Sequence, residues 1–197
     1  MNRPTLLAAL GSLALISACS PPAQKTETPV MTPAAEASVA PAAPAIDPAV
    51  APAIDPALDA YVRTYAKDDA LPLRYASATH GEGEAQLTFV YLIGPEYCGS
   101  AGCSLLVLHR TGDTFELLGK VSTVDTPVRV LETTTNGRPD LAIRTRGEGV
   151  SIVDKLIPFD GRRYLWSPNV AGARDIHNPG GQIVLTDDTP KVTVRAQ

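Results

Sequence analysis

Positive charge is in short supply in this chain: 17 lysines and arginines stand against 21 aspartates and glutamates, for a formal net charge of -4. That balance argues against a nucleic-acid partner, which needs a strongly basic footprint. Cysteine occurs three times, at Cys19, Cys98 and Cys103, and histidine three times, at His80, His109 and His177. Neither set has metal-ligand spacing and no CxxC pair offers thiol redox chemistry, so no metal and no other cofactor is expected. Ser100 lacks the glycine two residues earlier that a nucleophile elbow requires, because Cys98 stands there. Asp140 lacks the row of alternating carboxylates that builds a calcium loop, and a turn-stabilising role is expected for it. Beyond residue 18 no apolar run reaches the length of a membrane span, which implies a remainder that is tethered rather than threaded.

What is present begins with an address. A short leading stretch carrying Arg3 runs into the apolar segment 6–18, which closes as Leu15-Ile16-Ser17-Ala18-Cys19. The run is too short for an anchoring helix and ends in small residues suited to cleavage, the pattern of a removable signal peptide. The closing string resembles the lipobox of bacterial lipoproteins. That resemblance implies cleavage after Ala18 and acylation of both the Cys19 thiol and its new amino group. Several chains on one cysteine make a durable anchor, each buried methylene contributing about 0.8 kcal/mol. Ser20, rather than Asp, follows the cysteine; by resemblance to sorted lipoproteins of Gram-negative bacteria this implies the outer membrane, with the domain facing the periplasm. In that oxidising compartment Cys98 and Cys103 are expected to bond to each other.

Residues 1–18 are thus read as the signal peptide, 19–56 as the lipidated N-terminus with a disordered Pro/Ala-rich linker, and 57–197 as one globular domain. The linker has almost no aromatic or large aliphatic residues and cannot bury enough to offset its ordering entropy. Fully stretched it would reach at most about 115 Å. It contains a tandem repeat, Ala43 to Val50 followed by Ala51 to Leu58. Each copy offers Asp as N-cap and Pro at the first helical position, but only the second lacks a proline soon afterwards, so only the second starts a helix. Leu58, Tyr61, Val62 and Tyr65 then share one face of an amphipathic helix over about 57 to 68, opposite Asp59, Arg63 and Lys67.

Short apolar or alternating runs follow. Residues 87–93 and 104–109 are almost continuously apolar and suit strands covered on both faces. Further strands are expected at 115–121, 128–131 and 141–144. The segments 150–158 and 162–166 flank Asp160-Gly161 as a hairpin, and 183–185 and 192–194 close around Asp187-Asp188-Thr189-Pro190. The expected fold is α+β: one N-terminal amphipathic helix packed on a mainly antiparallel sheet of about six to eight strands, with a β-barrel or sandwich as the alternative.

Two candidate sites emerge. The six-residue string from Cys98 to Cys103, with glycines at 99 and 102, reads as a disulfide clamp between strands. The clamped loop, with Glu96, Tyr97 and Ser100, is a candidate binding surface, since rigid loops lose less entropy on association. Arginines crowd the later strands, and Arg144, Arg146, Arg162 and Arg163 form a candidate basic surface for an anionic envelope component. The landmarks Tyr97 to Cys103, Asn136 to Leu141 and Phe159 to Tyr164 resemble those of a group of uncharacterised proteobacterial periplasmic lipoproteins. A weaker, architectural likeness to small exported lysozyme inhibitors of Gram-negative bacteria adds no residue-level match. The expected function is a non-enzymatic binding or accessory module for an envelope protein or glycan, joined to the membrane through Cys19. An enzyme acting on envelope polymers and a lysozyme-inhibitor-like protein are the alternatives.

Overall fold

The structure, a computed structural model, describes residues 54–66, 72–147 and 150–195. The signal segment, Cys19, most of the linker, the first repeat copy and the expected helix end at 67–68 lie outside the described residues. The first element follows from local chemistry. Asp55 Oδ1 accepts hydrogen bonds from the N–H groups of Ala57 at 2.9 Å and Leu58 at 3.3 Å, a cap of a kind that contributes about 1 kcal/mol. The capped segment is helix α1, Pro56–Ala66, which buries Leu58, Val62 and Ala66. Arg110 Nη1 meets the other oxygen of Asp55 at 2.5 Å. Burial alone would raise the Asp55 carboxyl, but Arg110 and the two helix N–H groups outweigh it and hold the group below the usual carboxylate range.

Asp59, expected on the side of the helix opposite its apolar face, links the helix to the strand beneath it. It takes Arg63 Nε at 2.8 Å and also the hydroxyl of buried Tyr75. Burial first, and then the charge and hydrogen bond of Asp59, push that hydroxyl up to about 12. The helix is the first described element, but it begins at residue 56, so it is N-terminal only to the sheet and not to the chain.

Among the described residues ten strands follow: β1 (Leu73–His80), β2 (Leu87–Ile93), β3 (Cys98–Gly99), β4 (Gly102–Thr111), β5 (Thr114–Thr135), β6 (Arg138–Gly147), β7 (Val150–Ile157), β8 (Arg174–Ile176), β9 (Gln182–Leu185) and β10 (Lys191–Val194). Their order is β10-β1-β2-β4-β5-β6-β7-β8, open at both ends, with β3 beside β4 and β9 beside β5. Every pairing is antiparallel.

Strand β5 makes the corner. Its first half pairs with β4, while its second half pairs with β6 on one edge and β9 on the other. A register shift lies near the changeover, where Thr123 adopts a φ of 56°. Irregularities of this kind bend a strand. The two halves of the sheet consequently share a core: Leu87, Phe89, Leu105 and Val107 meet Val128, Leu141, Ile143 and Ile157. The alternate residues of the same strands, Val90, Leu92, Leu106 and Leu108, pack under Leu58 and Val62 of α1. Covering on both faces explains why β2 and β4 read as unbroken apolar runs.

The coarse expectation of one helix on a mainly antiparallel sheet stands, while the finer one needs correction. Strand number exceeds the expected six to eight because β1 carries Arg74, Ala76, Ser77 and Ala78 between few large apolar residues, and because β3 and β8 are two and three residues long. The two strands expected at 115–121 and 128–131 are one, β5. The last two strands do not close on each other: β9 joins β5 and β10 joins β1, with Leu73 opposite Val194. The hairpin expected at Asp160-Gly161 shrinks to one bridge, Phe159 to Tyr164.

Candidate binding groove

The turn after β7 is fixed by its own backbone. Asp160 Oδ1 accepts from the N–H groups of Arg162 and Arg163, each at 2.7 Å, and the Asp160 N–H donates to Arg163 O at 2.9 Å. Gly161 supplies the φ of 103° that the reversal requires. The N–H of Arg163, then that of Arg162, hold the Asp160 carboxyl below the usual carboxylate range, since both bonds favour the ionised form. Asn136 Nδ2 buttresses the turn by donating to Phe159 O at 2.9 Å. Two consecutive arginines are thereby presented from a preset backbone.

Beyond the turn, residues 164–166 are strapped along the edge of β5 that does not face β4. The Tyr164 N–H donates to Leu118 O at 2.8 Å, and Ser122 donates to Trp166 O through its N–H at 2.9 Å and its Oγ at 3.1 Å. Tyr164 is the anchor. It is fully buried against Phe159, with its hydroxyl donating to Pro139 O at 2.8 Å, and burial pushes that hydroxyl's pKa upward. The strap can lie this close only because residue 119 is glycine: a Cβ there would sit 2.9 Å from Tyr164 Cβ and 3.1 Å from its nitrogen.

Between strap and strand lies a groove of about 690 Å³, walled by Leu117 and Lys120 on β5 and by Arg162 and Arg163 of the turn and Trp166 of the strap. Trp166 is 63% exposed and Leu117 41%, both high for large apolar side chains. Among the described residues, Lys120, Arg162 and Arg163 form no ion pair. Lys120 lies 5.7 Å from the centre of the Tyr97 ring, a cation–π distance. Asp160 offsets part of the arginine charge, but its Oδ1 is already engaged by two backbone N–H groups. The groove therefore offers a flat apolar surface between cationic walls.

The four arginines expected to form one basic surface lie on different elements. Arg162 and Arg163 line the groove, whereas Arg144 and Arg146 project from β6 and meet carboxylates: Arg144 Nε to Asp154 at 3.2 Å and Arg146 Nη2 to Asp125 at 2.5 Å. Cys98 and Cys103 form the expected disulfide as direct register partners across β3 and β4. Gly102 permits the clamp, because at its φ of 122° a Cβ would lie 2.3 Å from Val124 O. In the neighbouring loop Glu96 and Ser100 are exposed. Tyr97 turns inward, its hydroxyl donating to Ala66 O at 3.3 Å and its ring 6.4 Å from that of Tyr65, so it secures the end of α1.

Asp140 lies within β6 rather than in a turn, buried, with Oδ2 accepting from Thr133 Oγ1 at 2.8 Å. His80 Nδ1 faces Gln182 Oε1 at 3.0 Å, His109 Nδ1 faces Gln86 O at 3.3 Å, and His177 is exposed. Among the described residues no group of three His, Cys, Asp or Glu is placed to hold a metal ion, and no helix is long and apolar enough to cross a membrane. Sequence reasoning missed Trp166, Leu117 and Lys120. The available signal was the chain's one tryptophan, standing three residues after Arg163; Leu117 continues the alternation of Phe115 and Glu116 and so reads as buried, and it is the register shift between Val107 and Leu108 that leaves it exposed. Compared with known proteins, the chain matches no family model, no curated protein and no solved structure. The functional reading accordingly rests on the groove's own geometry.

Proposed function

We propose that the protein is a non-enzymatic binding module of the bacterial cell envelope, held at the outer membrane by lipidated Cys19, which captures an envelope component in the Trp166 groove on the periplasmic side. The observation that carries this reading is the exposed indole on a hydrogen-bonded strap beside Lys120, Arg162 and Arg163, which form no ion pair among the described residues. Tryptophan and arginine dominate binding hot spots, and a backbone fixed before association loses less entropy on it. The groove also falls within the roughly 300–1,000 Å³ range of small-ligand sites. A photo-crosslinking residue at position 117, inside the groove, should form a discrete adduct in intact cells. The same residue at Ile183, which is similarly exposed at 45% but lies on β9, should not. Equal labelling at both positions, or at neither, overturns the groove. For the anchor, the Cys19→Ser chain should leave the membrane fraction, and full retention there overturns lipidation.

A further inference from the structure

We infer that the ligand of the groove is an acidic oligosaccharide carrying carboxylates. The inference rests on the groove being the binding site and goes further by naming what fills it. The groove makes two demands at once. Trp166 and Leu117 present apolar surface that is useful only to a ligand with a flat, water-shedding face. Lys120 stands on one wall and Arg162 and Arg163 on the other, so the same ligand must bring negative charge close to that face. A pyranose ring carrying a carboxylate meets both demands: its C–H face covers the indole while the planar carboxylate meets the guanidinium fork.

Other ligand classes meet only one. A free phosphate ion has no use for the indole. An acyl chain wants an enclosed apolar cavity, whereas this groove leaves its tryptophan mostly in water and is walled by charge. A folded protein partner needs about 800 Å² of its own surface buried, far more than a short groove supplies. Charge complementarity sharpens the choice. The chain as a whole is negative at -4, so attraction of an anionic polymer must come from a local concentration of cations, and the groove gathers three that no described carboxylate pairs. The Asp160 turn sets the two arginines before the ligand arrives, which limits the entropy lost on binding.

The test uses the full-length chain in detergent, where the only tryptophan makes intrinsic fluorescence a direct report on the groove. A uronic-acid trisaccharide should shift Trp166 emission saturably, a neutral trisaccharide of the same linkage should bind at least about tenfold more weakly, and inorganic phosphate should leave the emission unchanged. In calorimetry, Trp166→Ala and the pair Arg162→Glu/Arg163→Glu should each weaken the acidic trisaccharide by about tenfold or more, and Trp166→Phe should recover part of the loss. The pair Arg144→Glu/Arg146→Glu, an equal change of charge on β6, should leave affinity within about twofold. Equal affinity for the neutral sugar, indifference to Trp166→Ala, an equal loss from the β6 pair, or tighter binding of a phosphorylated sugar than of the carboxylated one overturns the inference. If position 117 crosslinks to an envelope protein while the acidic trisaccharide does not bind, the saccharide falls and the groove stands. If position 117 gives no discrete adduct, both fall.

Discussion

Arg144 and Arg146 project from one face of β6, each against a carboxylate of a neighbouring strand, whereas Arg162 and Arg163 project from a tight turn beside an exposed indole. The β6 pair sits inside the sheet between two neighbouring strands, where cross-strand register brings Arg144 opposite Asp154. Pairs of this kind contribute little to stability, about 0–1 kcal/mol, but they take charge out of play for outside ligands. The turn pair has only Asp160 beside it, which offsets part of its charge but, with one oxygen held by the backbone of the turn, makes no ion-pair contact with either arginine. The difference teaches that arginine content does not define a basic site; the element beneath each arginine decides whether its charge is answered from within.

The comparison breaks most visibly through Tyr164. Replacing this fully buried anchor by alanine should cost about 3–5 kcal/mol in chemical denaturation and release the strap with both its arginines, while Arg144→Ala should cost no more than about 1 kcal/mol. A Tyr164→Ala loss no larger than that of Arg144→Ala would show that the strap is not held by its anchor. A smaller effect tests the other side. Asp125→Asn with Asp154→Asn should free Arg144 and Arg146, giving the β6 face an anion affinity that it lacks in the native chain. The salt needed for elution from a cation exchanger should therefore rise more than it does for Asp113→Asn with Asp188→Asn, two exposed acids that form no ion pair among the described residues. Equal elution of the two double variants contradicts the neutralising role of those pairs.

The smallest expected effect is on pH. Because the folded Asp160 carboxyl lies below its ordinary value, its support of the turn is complete above the unfolded pKa of about 3.9 and is lost as pH falls through the lower folded value. Emission from Trp166 should hold steady from neutrality to about pH 4 and change only under more acidic conditions. A transition centred well above pH 4 and abolished by Asp160→Asn would reverse the sign of that linkage.

Much of the scaffold was legible because it depends on neighbours in sequence. Asp55 before Pro56 marks the helix start, the i, i+4 spacing of Leu58 and Val62 marks its buried face, and the glycines around Cys98 and Cys103 mark the clamp. The corner in β5 was not, because Thr123 and Pro127 look like a break between strands, and only the register on either side shows that the chain continues. The separation of β9 from β10 was equally hidden. The turn between them resembles any hairpin turn, but each strand satisfies its edge on a different half of the sheet. For the groove, the Asp160 turn was visible locally, whereas its wall partner Leu117 lies more than forty residues earlier. Only the pairing of Tyr164 with Leu118 and of Trp166 with Ser122 brings the walls together.

Strand β5 also bears on how the molecule comes apart. Since one continuous strand supplies hydrogen bonds to both halves of the sheet and side chains to their common core, neither half keeps a complete edge or interior when the other is lost. Unfolding should then be all-or-none, with Trp166 emission and backbone circular dichroism falling together on one curve. A groove assembled on that strand exists only while the whole domain does, and the site has no partly folded form from which to bind.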